Sequence, residues 1–368
     1  MKAAKTYYSI RRKSKTLSKV RKVYFNDPDI RTKAFNLIPR SAFDDVDMIF
    51  LVCNDNSQQI FYKASDYASR LMEIGISKDK IFVVPYVMCV AELPMFVDGE
   101  LSPLCKKLAD VKPVMRYMEY QVTDFCNLKC KRCEHLANYV KKLEFVGAEY
   151  FRFCLERLSE KFENITTFRI MGGEPLLCRN LHEYINAVHE VFPYSQIKIV
   201  TNGLLYKNIT PEIISAIKNS GAEIQVSQYP PSREIADKII AFCRDNGLKL
   251  YISGPVKEFS QRTISDKSTD VKKTWAICLS KHCRFLRNTT LYPCWYVWAY
   301  SHPEFQDIIT KERAVTESEC AEVSYDLTKN LDADGWDILA AIDGPMELCR
   351  KCGDKHVFFK WESERAED

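Results

Sequence analysis

The feature that most constrains this chain is a rhythm. Short strand-like segments begin at positions 165, 197, 222 and 248, separated by 32, 25 and 26 residues, with a helical pattern in each interval. That spacing suits a strand, a crossover helix and a parallel return strand, so it predicts a parallel sheet with helices outside. The segments are strand 117–123, helix 148–162, strand 165–171, helix 181–191, strand 197–201, helix 211–220, strand 222–227, helix 232–246 and strand 248–253. The helices carry apolar faces at Phe151, Cys154, Leu155 and Leu158, at Leu181, Tyr184, Ile185 and Val188, and at Ala236, Ile239, Ile240 and Cys243. Thr210-Pro211 supplies a cap and a first-turn proline, and Gly221 a stop. Ligands of parallel sheets bind at the C-terminal strand ends. Four features fall there: a cysteine loop after residue 123, Gly172-Gly173-Glu174-Pro175, Thr201-Asn202-Gly203, and Ser227.

Upstream, strand 46–53, helix 57–75 and strand 80–84 read as a small βαβ-like, Rossmann-like unit. No G-x-G-x-x-G or P-loop follows a strand, so no nucleotide site is argued there. Nine Lys or Arg and no acid lie between Lys2 and Lys22. A whole-chain charge of +4 gives no support to a nucleic-acid binder, and the segment reads as a solvated flap. The chain of 368 residues suggests two to three domains. We place them at 1–112, 113–265 and 266–368. The stretch 255–275 is polar and unperiodic, and reads as a connector.

The longest apolar run, Ile81 to Ala91, is interrupted by Pro85 and falls short of the ~20 residues of a membrane span. The basic N-terminus lacks a following apolar stretch, so the chain is expected to stay in the reducing cytoplasm. In that setting 15 cysteines point to metal or redox chemistry rather than disulfides.

Cys126, Cys130 and Cys133 form a C-x3-C-x2-C loop directly after a strand. Three thiolates so close can reach one metal centre. An iron–sulfur cluster takes cysteine thiolates, and three would leave one iron open. Zinc wants four protein ligands, which His135 could complete, so the loop alone leaves both metals open. At the next strand end, glycines allow close backbone approach and Glu174 could receive a ligand ammonium.

With this loop, GGEPLL, Thr201-Asn202-Gly203 and Tyr229-Pro230 in that order, the chain resembles the radical S-adenosylmethionine (radical SAM) superfamily over about residues 115–355. The stretch CNLKCKRC looks like its CNLNCKGC-type subgroup, although Arg132 stands where an aromatic residue is common. The resemblance implies a partial (β/α)6 barrel in an α/β protein. It implies a [4Fe–4S] cluster on Cys126, Cys130 and Cys133. S-adenosylmethionine would be held at its amine end by Gly172, Gly173 and Glu174, and elsewhere by Thr201, Asn202 and Ser227. It also implies an electron donor such as flavodoxin or ferredoxin.

Beyond residue 275, Cys278, Cys283, Cys294, Cys349 and Cys352 resemble a twitch or SPASM extension carrying an auxiliary [4Fe–4S] cluster. Thr289 replaces a glycine common in that pattern. Cys278 and Cys283 compete for one ligand place, and a zinc ribbon is the competing reading. Cys178 and Cys320 are candidate hydrogen donors. His135 reads as a neighbour of the cluster and His282 as a stray metal ligand. The implied activity is reductive cleavage of S-adenosylmethionine and hydrogen abstraction from a substrate, giving oxidation or epimerisation. A small, sugar-related substrate is favoured over a peptide. A non-catalytic metalloprotein is the alternative.

Overall fold

The computed structural model describes residues 8–10, 20–25, 48–53, 68, 71–85, 96–97, 100–101, 106–261, 270–305, 309, 313–353 and 355–364. The chain divides into two units. One takes in Met1–Met115, Lys161–Glu163 and Asp334–Ala340, and the other Arg116–Glu160, Asn164–Ala333 and Ala341–Asp368.

In the first unit, β1 (Tyr8–Ile10), β2 (Val20–Phe25), β3 (Met48–Cys53), β4 (Ile81–Pro85) and β7 (Lys106–Lys107) form one sheet in the order β1-β2-β3-β4-β7. The central three strands are parallel and the flanking two antiparallel. A small hairpin pairs β5 (Phe96–Val97) with β6 (Glu100–Leu101). Strands β3 and β4 are those expected at 46–53 and 80–84, but most of helix 57–75 lies outside the described residues. Ile49, Leu51, Leu71, Ile81 and Trp336 share one core. Trp336 explains why Asp334–Ala340 joins this unit rather than the expected third domain: its ring is buried and its Nε1 donates to Val111 O at 2.6 Å. Lys78 adds ion pairs to Asp334 and Asp337.

The second unit is built on an eight-stranded sheet in the order β13-β12-β11-β10-β8-β15-β16-β17. Its members are β8 (Val114–Gln121), β10 (Asn164–Met171), β11 (Gln196–Thr201), β12 (Glu223–Val226), β13 (Lys249–Ile252), β15 (Arg284–Arg287), β16 (Thr290–Tyr292) and β17 (Tyr325–Asp326). Strands β10 to β13 run parallel in chain order, with Ile170 opposite Ile199, Thr201 opposite Val226, and Val226 opposite Ile252. This is the α/β fold with a parallel sheet expected from the strand spacing. β15 pairs in parallel with the other edge of β8, so residues on both sides of the expected boundary at 265 share one sheet. Antiparallel β16 and β17 extend it.

Helices Ala148–Ser159, Leu181–Val191 and Pro211–Ser220 pack in series. Phe151, Leu155, Leu158, Ile185 and Val188 are fully buried, each stabilising the fold by ~1.5–3 kcal/mol. Thr210 caps the third helix by accepting from Ile213 N, and Gly221 ends it with φ +67°.

Two expectations need correction. Helix 232–246 is two helices, Pro230–Arg233 and Ala236–Asp245, and Ile240 is 44% exposed rather than on the buried face. Residues 255–275 are not a plain connector. They contain β14 (Glu258–Gln261), paired with β18 (Val357–Lys360), and helix Val271–Ala276, capped by Asp270. A second short pairing joins β9 (Lys129–Cys130) to β19 (Ser363–Glu364). None of the described helices is long and apolar enough to cross a membrane.

Candidate active site

The C-terminal ends of β8, β10, β11 and β12 are laced together by backbone. Gly173 N donates to Thr123 O at 2.8 Å, and Glu174 N donates to Phe125 O at 3.0 Å. The glycines make this approach possible. A Cβ on Gly172 would stand 2.3 Å from Thr123 O, and one on Gly173 2.1 Å from Phe125 O. So the missing side chains serve first to seat the cysteine loop against the β10 end, while both glycines also line the cavity described below.

Glu174 has no exposed surface. Its Oε1 accepts from Thr201 Oγ1 at 2.6 Å and from Leu176 N at 3.0 Å, and its Oε2 from Asn202 N at 2.8 Å. Burial raises the carboxyl to about 7, against these three donors. The residue expected to receive a ligand ammonium instead ties the β10 loop to the β11 end, and it is not among the cavity-lining side chains. Asn202 completes the lacing: its Nδ2 donates to Asn127 Oδ1 at 2.7 Å and lies 3.8 Å from Cys126 Sγ.

Within this frame lies a cavity of about 570 Å³. Cys126, Cys130 and Cys133 line it, and so do Thr201, Asn202 and Ser227. None of the three thiols is in a disulfide. Burial pushes Cys126 up to about 12, Cys130 up to about 11, and Cys133 upward. Such thiols stay protonated at neutral pH unless a metal displaces the proton. The loop turns through left-handed residues at Arg132 and Leu136, with φ of 59° and 52°. Arg132, the departure from the aromatic pattern, lays its guanidinium 3.6 Å from the centre of the Phe359 ring on β18.

These residues fit a [4Fe–4S] cluster. Three soft thiol donors face one cavity, and the polar groups of the β11 and β12 ends stand beside them for a ligand on the fourth iron. Among the described residues, no three His, Cys, Asp or Glu side chains close on a single-ion site.

In the second cysteine group, Cys278 is near enough to act on both Cys294 and Cys283. Burial pushes the Cys294 thiol up, and the neighbouring Cys352, Cys278 and Cys349 push it further. Cys283 lines the main cavity, where burial, then Glu119, and also Cys278 raise it to about 12. Neither candidate hydrogen donor lines that cavity. Cys178 is buried beyond the GGEP loop, and Cys320 packs in an apolar cluster with Phe285, Trp298 and Phe305. His135 does line it, edge-on to Trp295 at 5.2 Å, and burial lowers its pKa. His282 also lines it, with Nδ1 3.3 Å from Asp343.

Sequence reasoning missed one group. Tyr117 and Glu119 of β8 and Arg169 of β10 face the same cavity. Tyr117 OH donates to Glu119 Oε1 at 2.9 Å, and Arg169 Nη1 lies 2.6 Å from Tyr117 OH and 3.3 Å from Glu119 Oε1. Burial raises the Tyr117 hydroxyl well above its ordinary value. The available signal was the charged residues Glu119 and Arg169 in the C-terminal halves of two strands.

No protein-family model matches the chain. It is similar to the GTP 3',8-cyclase of Helicobacter pylori, at 26% identity over 148 residues, covering 38% of this chain and 42% of that protein. It is also similar to the GTP 3',8-cyclase of Alkaliphilus oremlandii, at 30% identity over the same shares of each chain. The matches therefore span less than half of the length of these curated relatives. They support the radical SAM resemblance of the sequence. Among solved structures, BtrN in complex with AdoMet and 2-DOIA shares 17% identity over 66% of this chain and 94% of that one, with a TM-score of 0.41. Streptococcus suis SuiB bound to S-adenosylmethionine shares 18% over 38% and 33%, with a TM-score of 0.31.

Proposed function

We propose that this chain is a radical SAM enzyme acting on a small, sugar-related molecule. The observation that carries the reading is the meeting of Cys126, Cys130 and Cys133 with Gly172, Gly173, Thr201, Asn202 and Ser227 on one cavity at the strand ends. Cys126, Cys130 and Cys133 would hold the [4Fe–4S] cluster. The Gly172-Gly173 backbone would take the amine end of S-adenosylmethionine, with Thr201, Asn202 and Ser227 along its ribose and carboxylate. Glu174 is a positioning residue, fixing Thr201 and Asn202 from behind. Bound there and reduced, the cluster would supply the electron for reductive cleavage of S-adenosylmethionine and so the means of hydrogen abstraction. The chain's own contribution is orientation and exclusion of water by Trp295, Tyr296, Tyr229 and Phe259, which wall the cavity.

In this reading β8 and β10 to β13 are strands of a partial (β/α)6 barrel, and the cysteine-rich region is a twitch-like extension. Cys278, Cys294, Cys349 and Cys352 would hold an auxiliary [4Fe–4S] cluster, which could accept the second electron of an oxidation. That assignment takes Cys278 in preference to Cys283, which lines the main cavity. Electrons would come from a flavodoxin- or ferredoxin-type donor. The test is release of 5′-deoxyadenosine from S-adenosylmethionine by anaerobically reconstituted, chemically reduced protein. We expect release by the wild type and none by Cys126→Ala. Iron-loaded, reduced wild type that binds S-adenosylmethionine but never cleaves it, with or without candidate substrates, would overturn the reading.

A further inference from the structure

Three side chains in the cavity have no part in holding the cluster or S-adenosylmethionine. Tyr117, Glu119 and Arg169 stand on neighbouring strands, and Cys283 adjoins them closely enough for its thiol to be raised by the Glu119 charge. Largely buried ion pairs return little net stability, so their placement at the cavity is not explained by folding alone. The group is also incompletely bonded. Among the described residues, Glu119 is bonded through Oε1, by Tyr117 and Arg169, and the buried Nε of Arg169 finds no hydrogen-bond partner. An arginine offers five donors in a fixed fork, and an unmade buried bond costs ~1–3 kcal/mol. A ligand that both donates to a carboxylate and accepts from a guanidinium would complete the set. Hydroxyl groups do both.

Charge and space narrow the class. Among the described residues, the formally charged Arg and Glu side chains lining the cavity are Arg116, Arg169, Glu119 and Glu134, and they cancel. A nucleoside triphosphate carries several negative charges and calls for a surplus of cations, which the described lining lacks. Ligand pockets run to ~300–1,000 Å³. A cavity of about 570 Å³ shared with a cluster and S-adenosylmethionine leaves room for one small molecule only. We propose that Tyr117, Glu119 and Arg169 form a substrate-anchoring subsite for a small polyhydroxylated molecule, neutral or singly charged, and that it does not take a nucleoside triphosphate. The proposal rests on the radical SAM reading of the cavity and names its substrate class.

The experiment uses the full chain, anaerobically reconstituted and saturated with S-adenosylmethionine, and four compounds: myo-inositol, glucose, glucosamine and GTP. Binding is read by calorimetry, and occupancy of this end of the cavity by protection of Cys283 from alkylation, mapped by mass spectrometry. At least one of the three polyols should bind saturably and protect Cys283, and GTP should do neither. Tyr117→Phe, which deletes a single hydroxyl, should weaken that binding, and Glu119→Gln should weaken it by about tenfold or more. Iron content and S-adenosylmethionine affinity should stay at wild-type values, which also shows that the variants fold. Cys283 protection by GTP, failure of all three polyols, or unchanged affinity in both folded variants would overturn the proposal. A wild type that holds no iron or does not bind S-adenosylmethionine would instead sink the underlying reading.

Discussion

Thr201 and Glu174 meet through a 2.6 Å hydrogen bond with no exposed surface on the carboxylate side. The pair joins the ends of β10 and β11 from beneath the cavity. Burial raises the Glu174 carboxyl to about 7, above its ordinary 4.5, so the folded chain holds that proton more tightly than the unfolded chain. Its contribution is fullest below about pH 4.5 and is lost as pH rises through about 7, by roughly 3 kcal/mol for this group alone. Urea midpoints of the metal-free protein at pH 5 and pH 8 should therefore differ less in Glu174→Gln than in wild type. An identical pH dependence in the two would rule out this account.

The lacing of the two loops makes a second prediction. An added Cβ at Gly173 meets Phe125 backbone rather than a yielding side chain, so Gly173→Ala must shift the cysteine loop. It should cost ~1–3 kcal/mol in chemical denaturation. It should also reduce iron uptake on reconstitution. Gly147 has nothing within 4 Å of an added Cβ, so Gly147→Ala serves as the control.

Cysteine variants should sort by iron content. Cys278→Ala should lose about half of the iron of the reconstituted protein, the share of one of two clusters. Cys283→Ala should keep it all, because that thiol lines the cavity of the first three cysteines. Equal losses in the two variants would reassign the ligands.

Cys178→Ala and Cys320→Ala should leave 5′-deoxyadenosine formation near the wild-type rate, since neither side chain reaches the cavity. Their effect should appear in stability. Both are buried, and truncation leaves a small void. Loss of turnover in a stable variant would return that thiol to the chemistry.

Much of the parallel sheet was legible because its signals are local. Leu181, Tyr184, Ile185 and Val188 repeat at helical spacing within a few residues, and Thr210, Pro211 and Gly221 mark a helix by their own backbone chemistry. The cysteine loop was legible for the same reason. What stayed hidden depends on distant partners. The segment 258–261 reads as a polar connector until Val357–Lys360 pairs with it. Trp336 gives no sign in sequence that its core partners are Ile49 and Leu51. Ile240 fits an apolar face, but the chain breaks its helix near Glu234 and leaves Ile239 and Cys243 buried with Ile240 exposed beside them. Within the site, spacing found the three thiols, whereas the role of Glu174 depends on the β11 end folding over it.

The pairing of Ser363 with Cys130 and of Glu364 with Lys129 has a consequence for the order of events in the making of the protein. A ribosome releases the cysteine loop long before it releases the strand that lies against it. Until then Cys130 lacks one wall and Arg132 lacks the Phe359 ring. Maturation of the metal centre should therefore wait for the last described residues to emerge, and chains stalled before residue 357 should leave the ribosome without their iron.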